Sequence, residues 1–126
     1  MIRILHTSDW HLGLELGGHD RLHEQKLFLD WLVETCRTEN VDALLVCGDV
    51  YDVANPSVAA QAVFAEFLVA FRRSRSTVVV VAGNHDSPSR LELPRPFGAA
   101  LGSMELRGLV SPTVSDHLVA LRGADG

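Results

Sequence analysis

Three short stretches of the chain set acids, amides and imidazoles side by side: "SDWHLG" at residues 8–13, "GDVYD" at 48–52 and "GNHDS" at 83–87. Carboxylate oxygens, one amide oxygen and imidazole nitrogens are the donor set of a divalent cation such as manganese, zinc or iron. Asp9 and His11, two residues apart, can send two ligands from one loop toward one ion. Asp49 is placed to bridge two ions. Gly48 and Gly83 permit tight turns and a close backbone approach beside these ligands. Taken singly, each stretch also reads as a turn or a helix start. Three of them, each closing an apolar run, favour one shared site.

The elements that must position these residues follow from the apolar patterning. "MIRILH", "VDALLVCG" and "TVVVVAG" are short runs with little polar alternation. They suit parallel strands buried on both faces. Between the first two, Leu22, Leu29, Leu32, Val33 and Cys36 recur at helical spacing, with Asp20 as N-cap. Between the second and third, Asn55 as N-cap and Pro56 at the first helical position open a helix with the stripe Val63, Phe67, Ala70 and Phe71. Arg72, Arg73 and Arg75 close it as a solvated end, where the helix dipole favours cations. The order is strand, helix, strand, helix, strand. Ligands of such a sheet gather at the carboxyl ends of its strands, where the three motifs fall. A further helix is expected from Pro88 to Leu101, shortened or kinked by Pro94 and Pro96. "SMELRG" and "HLVALRG" read as two more short strands, a hairpin or an edge pair, before a turn-like "GADG".

Composition narrows the function classes. The 126 residues suit one domain, and the formal net charge of −5 argues against nucleic-acid binding through a basic face alone. Two bound divalent cations would add about four positive charges at one spot, so an acidic chain can still hold a phosphate. No run approaches the roughly 18–20 apolar residues of a membrane span, and no signal-peptide pattern opens the chain. A cytoplasmic location is the expectation. Cys36 and Cys47 read as two buried thiols. His6 reads as a core histidine, Trp10 as packing that stiffens the first loop, and His19 and His23 as surface residues.

In order and spacing, "ILHTSDWHLG", "GDVYD" and "GNHDS" resemble the first three motifs of the calcineurin-like metallophosphoesterases. Within that group they resemble the branch of bacterial DNA-repair and recombination nucleases, to which the "FLDWLVE" helix and the segment after "NHDS" also point. The resemblance implies an α/β metallophosphoesterase sandwich and two divalent cations, manganese by the family's habit. It implies hydrolysis of DNA phosphodiesters beside an ATPase partner subunit, and a homodimer. It places Asp9, His11 and Asp49 on the first cation and Asp49 and Asn84 on the second. His85 would face the scissile phosphate and stabilise the leaving oxygen. Asp86 would orient His85 or cap the next helix, and Asp52 would brace the site from behind. The family's later histidines, one alone and then a G-H-x-H pair, have no match after Asp86, and His117 reads as structural. Residues 1–126 are therefore expected to be the N-terminal part of a longer nuclease domain, with an incomplete second site and weak or no hydrolysis alone. Two other functions share these motifs: a phosphoesterase acting on small phosphoesters, and a non-catalytic metal-binding or assembly module.

Overall fold

The computed structural model describes residues 1–121 and 123. Four parallel strands form its sheet: β1 (Ile4–Thr7), β4 (Ala43–Cys47), β5 (Thr77–Val81) and β6 (Met104–Arg107), side by side in that order. A two-stranded ribbon, β2 (Glu15–Leu16) and β3 (His19–Asp20), precedes the first helix. The sequence reading missed this ribbon, although Gly17-Gly18 is the signal for its turn; both glycines have positive φ, at 59° and 78°.

The crossovers are α1 (Leu22–Thr38) and α2 (Val58–Phe71), then the pair α3 (Pro88–Leu91) and α4 (Arg95–Leu101). The pair replaces the single helix expected over Pro88–Leu101. Pro94 lacks an N–H and takes the N-cap position of α4, so the helix restarts there. Two expected caps move by a residue or two. Ser57 caps α2 in place of Asn55, its hydroxyl accepting from Ala60 N–H at 3.1 Å. Arg21 holds the N-cap position of α1, while Asp20 still accepts from Leu22 N–H at 2.8 Å.

Strands placed in sequence order across a sheet, each joined by a right-handed crossover, put all their helices on one face. That is the arrangement here. Leu44, Val46, Val78, Val80, Met104 and Leu106 point into a core shared with Leu29, Leu32, Phe64, Phe67 and Phe71 of α1 and α2. The alternate residues point the other way, and four of them, Ile4, His6, Cys47 and Val81, are exposed. The expectation of burial on both faces is thus corrected, and with it the reading of His6 as a core residue. Cys36 is buried and Cys47 exposed. Burial pushes the Cys36 thiol up to about 11. Alkylation of the folded chain is expected to modify Cys47 alone, with Cys36 reacting only in denaturant; mass spectrometry of the labelled peptides checks this.

The C-terminal region departs further from expectation. "SMELRG" supplies β6, which pairs with β5 in parallel and belongs to no hairpin. The α3–α4 crossover explains this, because it returns the chain to the same edge in the same direction. The second expected strand is not formed over residues 117–121: Val114–His117 make a 3-10 turn and the following residues are irregular. Local polar groups capture the backbone there. Thr113 N–H donates to Ser111 Oγ at 3.1 Å, and His117 Nε2 meets the Ser111 carbonyl at 2.8 Å. The rest of "HLVALRG" and "GADG", apart from Gly123, lies outside the described residues. No helix among the described residues is long and apolar enough to cross a membrane.

Candidate metal centre

The β1–β4 ladder continues past the strand ends and carries two of the three motifs with it. Asp9 N–H donates to the Gly48 carbonyl, His11 N–H to that of Asp49 and Leu12 N–H to that of Val50, all at 2.9–3.0 Å. Leu12 and Tyr51 form an isolated parallel bridge. The first two loops therefore run in register, which sets Asp9 and His11 opposite Asp49. Trp10 turns inward between the two ligands. It packs edge-on against Phe64 and Phe67, and its indole N–H donates to Thr7 Oγ1 at 3.0 Å. The role expected for Trp10, stiffening this loop, matches that contact set.

Gln25 of α1 holds the same loop from the other side. Its amide donates to the Trp10 and His11 carbonyls at 3.2 and 2.7 Å and accepts from Gly13 N–H at 3.1 Å. The sequence reading passed over Gln25. The available signal was a polar residue on the apolar stripe Leu22, Leu29 and Leu32.

The third motif approaches through glycine. Gly48 and Gly83 lie so close that a Cβ on Gly48 would come within 2.9 Å of Gly83 Cα. A Cβ on Gly83 would meet Asp49 Oδ1 at 2.2 Å. This contact lets His85 N–H donate to Asp49 Oδ1 at 2.9 Å. Asn84 lies between Gly83 and His85 in the chain.

Asp86 does something other than orient the His85 ring or cap α3. It is buried, and its carboxylate gathers three backbone donors. Val50 and Gly83 N–H donate to Oδ2 at 3.1 and 2.9 Å, and Tyr51 N–H donates to Oδ1 at 2.8 Å. The N-cap of α3 is Ser87. Asp86 thus ties the second loop to the third.

The ligand atoms of Asp9, His11 and Asp49 lie within 4.8 Å of one another. His11 Nε2 is 3.7 Å from Asp9 Oδ1 and 3.8 Å from Asp49 Oδ2, too long for hydrogen bonds. Two ligands about 2.1 Å from a common ion stand ~3.0–3.5 Å apart, so a small inward movement closes these atoms on a cation. The backbone carries strain at the same three residues. Asp9, His11 and Asp49 have φ of 56°, 46° and 49°, and the only other non-glycine residue with positive φ among those described is Asn40. Such conformations cost about 1–3 kcal/mol each and cluster at functional sites. The donor set, the spacing and the strain all fit a divalent cation.

A second cluster adjoins the first. His11, Asp52 and His85 also place ligand atoms within 4.8 Å of one another. The two imidazoles meet edge-on, with centroids 5.0 Å apart. His85 Nδ1 lies 2.8 Å from the Asp52 carbonyl. That bond holds the His85 pKa above the ordinary imidazole value against the opposing cost of desolvation, and the charges of Asp49, Asp52 and Asp86 add to the rise. His19 and His23 are exposed and outside both clusters, as expected. Arg72, Arg73 and Arg75 lie just before β5, at the opposite end of the strand from the motifs.

The calcineurin-like phosphoesterase family matches this chain over residues 2–123. The chain belongs to that family. Members hold divalent cations, in accord with the clusters just described. Three curated relatives are named as the SbcD component of the nuclease SbcCD. That of Escherichia coli K12 is 44% identical over 102 residues, covering 81% of this chain and 26% of the relative. That of Bacillus subtilis 168 is 46% identical over 97 residues, covering 76% and 25%. That of Rhodobacter capsulatus is 42% identical over 131 residues, covering 99% and 32%. The chain thus spans between a quarter and a third of the length of these relatives.

Proposed function

We propose that this chain carries the metal centre of a DNA nuclease of the SbcD type, hydrolysing phosphodiesters with divalent cations in DNA repair and recombination. The observation that carries this reading is the convergence of Asp9, His11 and Asp49 at adjacent strand ends, in a chain more than 40% identical to nuclease components. In this reading residues 1–126 form the N-terminal part of a longer nuclease domain that works in the cytoplasm beside an SbcC-type ATPase subunit.

Asp9, His11 and Asp49 hold the first cation, and Asp49 with Asn84 contributes to the second; both are assigned as manganese. Bound there, the cations supply Lewis acidity and lower the pKa of water enough for attack on phosphorus near neutral pH. Asp49 also fixes the third loop through His85 N–H. The His85 ring is bonded through Nδ1 to the Asp52 carbonyl, so its Nε2 is not used in that bond. Its raised pKa favours a proton on that nitrogen, which then donates to a phosphoryl or leaving oxygen. Asp86 serves this chemistry by clamping two loops.

The reading includes a homodimer. Its support is an apolar groove of about 240 Å³ between α2 and α4, lined by Leu68, Val69, Phe97 and Leu101, with Val69 and Phe97 largely exposed. Light scattering reads the oligomeric state.

The deciding experiment compares this chain with a polypeptide extended to the length of the relatives. Both are given linear duplex DNA and a chromogenic phosphodiester, with manganese and with a chelator. The extended polypeptide is expected to cleave DNA until the chelator is added, and this chain to cleave weakly or not at all. Hydrolysis of the small ester alone would favour a small-phosphoester enzyme. Cation binding without turnover by either polypeptide would favour a binding or assembly module.

A further inference from the structure

We propose that Gln25 is a positioning residue for the first cation: its one side-chain amide, reaching across from α1, holds the turn that aims Asp9 and His11. The inference rests on the metal-centre reading and extends it to a residue on a helix, outside all three motifs.

The first loop has to keep a costly backbone. Asp9 and His11 have φ of 56° and 46°, and non-glycine residues stay in this region only where their surroundings over-determine it. Part of that constraint comes from the second loop, whose Gly48 and Asp49 carbonyls accept from Asp9 and His11 N–H. Gln25 supplies another part. Nε2 donates to the Trp10 carbonyl at 3.2 Å and to the His11 carbonyl at 2.7 Å, and Oε1 accepts from Gly13 N–H at 3.1 Å. The Trp10 carbonyl and Gly13 N–H have no other hydrogen bond among the described residues.

These bonds act on the geometry of a ligand. The Trp10 carbonyl belongs to the peptide unit before the His11 Cα, and the His11 carbonyl to the unit after it. One nitrogen pins both units, which fixes φ and ψ of His11 and so the direction of its Cα–Cβ bond. The His11 carbonyl also accepts from Leu14 N–H at 2.9 Å, closing a tight turn through Leu12 and Gly13. The amide can serve in one orientation only. Carbonyls accept and an N–H donates, so exchanging Oε1 and Nε2 would lose all three bonds. Gln25 is itself anchored: its own N–H donates to the Arg21 carbonyl at 3.0 Å in the first turn of α1, a helix seated on the core through Leu29 and Leu32. A strut carried by a packed helix holds a ligand more precisely than one carried by a loop.

The alternative is that Gln25 only satisfies backbone groups and contributes to stability alone. Two variants separate the roles. Gln25→Met keeps an unbranched side chain and good helix propensity but removes the three bonds. Ser76→Ala is the control. It removes the bond from Ser76 Oγ to the Val41 carbonyl at 2.6 Å, at the end of β5 away from the motifs. Titration calorimetry with manganese reads affinity and stoichiometry. Amide hydrogen exchange of the metal-free chain reads the loop directly, and thermal melting confirms that both variants fold.

In Gln25→Met, manganese affinity is expected to fall about 10–100-fold at unchanged stoichiometry. Exchange should accelerate at Asp9, His11 and Gly13 while Val78 and Val80 of β5 keep their protection. Ser76→Ala should leave affinity and loop exchange unchanged. Wild-type affinity in Gln25→Met would overturn the proposal. So would an equal fall in both variants, or exchange that rises uniformly along the chain. If the wild-type chain binds no manganese, the metal-centre reading fails and exchange alone decides. Loosening confined to the first loop in Gln25→Met would then uphold the strut, and its absence would overturn it.

Discussion

Replacing Asp49 with alanine is expected to weaken manganese binding on the order of a hundred-fold or more and to remove any cation-dependent cleavage. The Asp49 carboxylate links all three loops of the site. It sits in the second, its Oδ2 faces His11 of the first, and its Oδ1 accepts from His85 N–H of the third. No neighbour can replace it. Asp9 already serves as a ligand of the same cluster, and Asp86 is committed to three backbone donors. Stability should change little by comparison. Loss of the bond from His85 N–H costs about 1 kcal/mol. Removing one of four neighbouring carboxylates from the metal-free site relieves repulsion and offsets that loss. Calorimetry with manganese and a thermal melt without it test the two halves. Tight binding retained in Asp49→Ala would move the metal centre elsewhere.

Asp86→Ala is expected to show the opposite pattern, a large loss of stability that precedes any question of chemistry. Its carboxylate is buried and receives three backbone N–H groups from two loops. Removing it strands three donors at once. Each stranded donor costs about 1–3 kcal/mol, and partial rescue by water brings the total to ~3–5 kcal/mol. For a chain of this size that is roughly 10–20 °C in melting temperature. Urea denaturation of the metal-free chain measures it. A loss below about 1 kcal/mol would show that the loops are held together by other means, such as the Gly48–Gly83 contact. Asp86→Asn should fall between, because it keeps an acceptor oxygen but turns an NH2 group toward backbone donors.

The alternation of apolar runs with helical stripes was enough to identify three parallel strands and the two helices between them, because unbroken apolar runs and helical stripes are both written in residue spacing. The motifs at the strand ends were equally legible. Asp9, His11 and Asp49 have the right chemistry in the sequence, and the strand order brings them together. Several features were not legible, each for a physical reason. The exposure of His6 and Cys47 follows from a sheet laid down in sequence order with one-handed crossovers, and strand spacing does not reveal that order. β6 joins the sheet in parallel because of where the α3–α4 crossover returns, which its own residues do not encode.

The site divides the same way. Residue type and spacing by themselves determined which side chains can ligate a cation and that three loops supply them. Only the tertiary structure decided what holds those side chains in place. Gln25 reaches the first loop from a helix, fourteen residues after His11, Asp86 joins loops some 35 residues apart, and Asp52 lies between two histidines from different loops. Such partners are chosen by distance across the fold. A one-dimensional pattern records periodicity along one element, and the hydrogen bonds that aim a ligand run between elements.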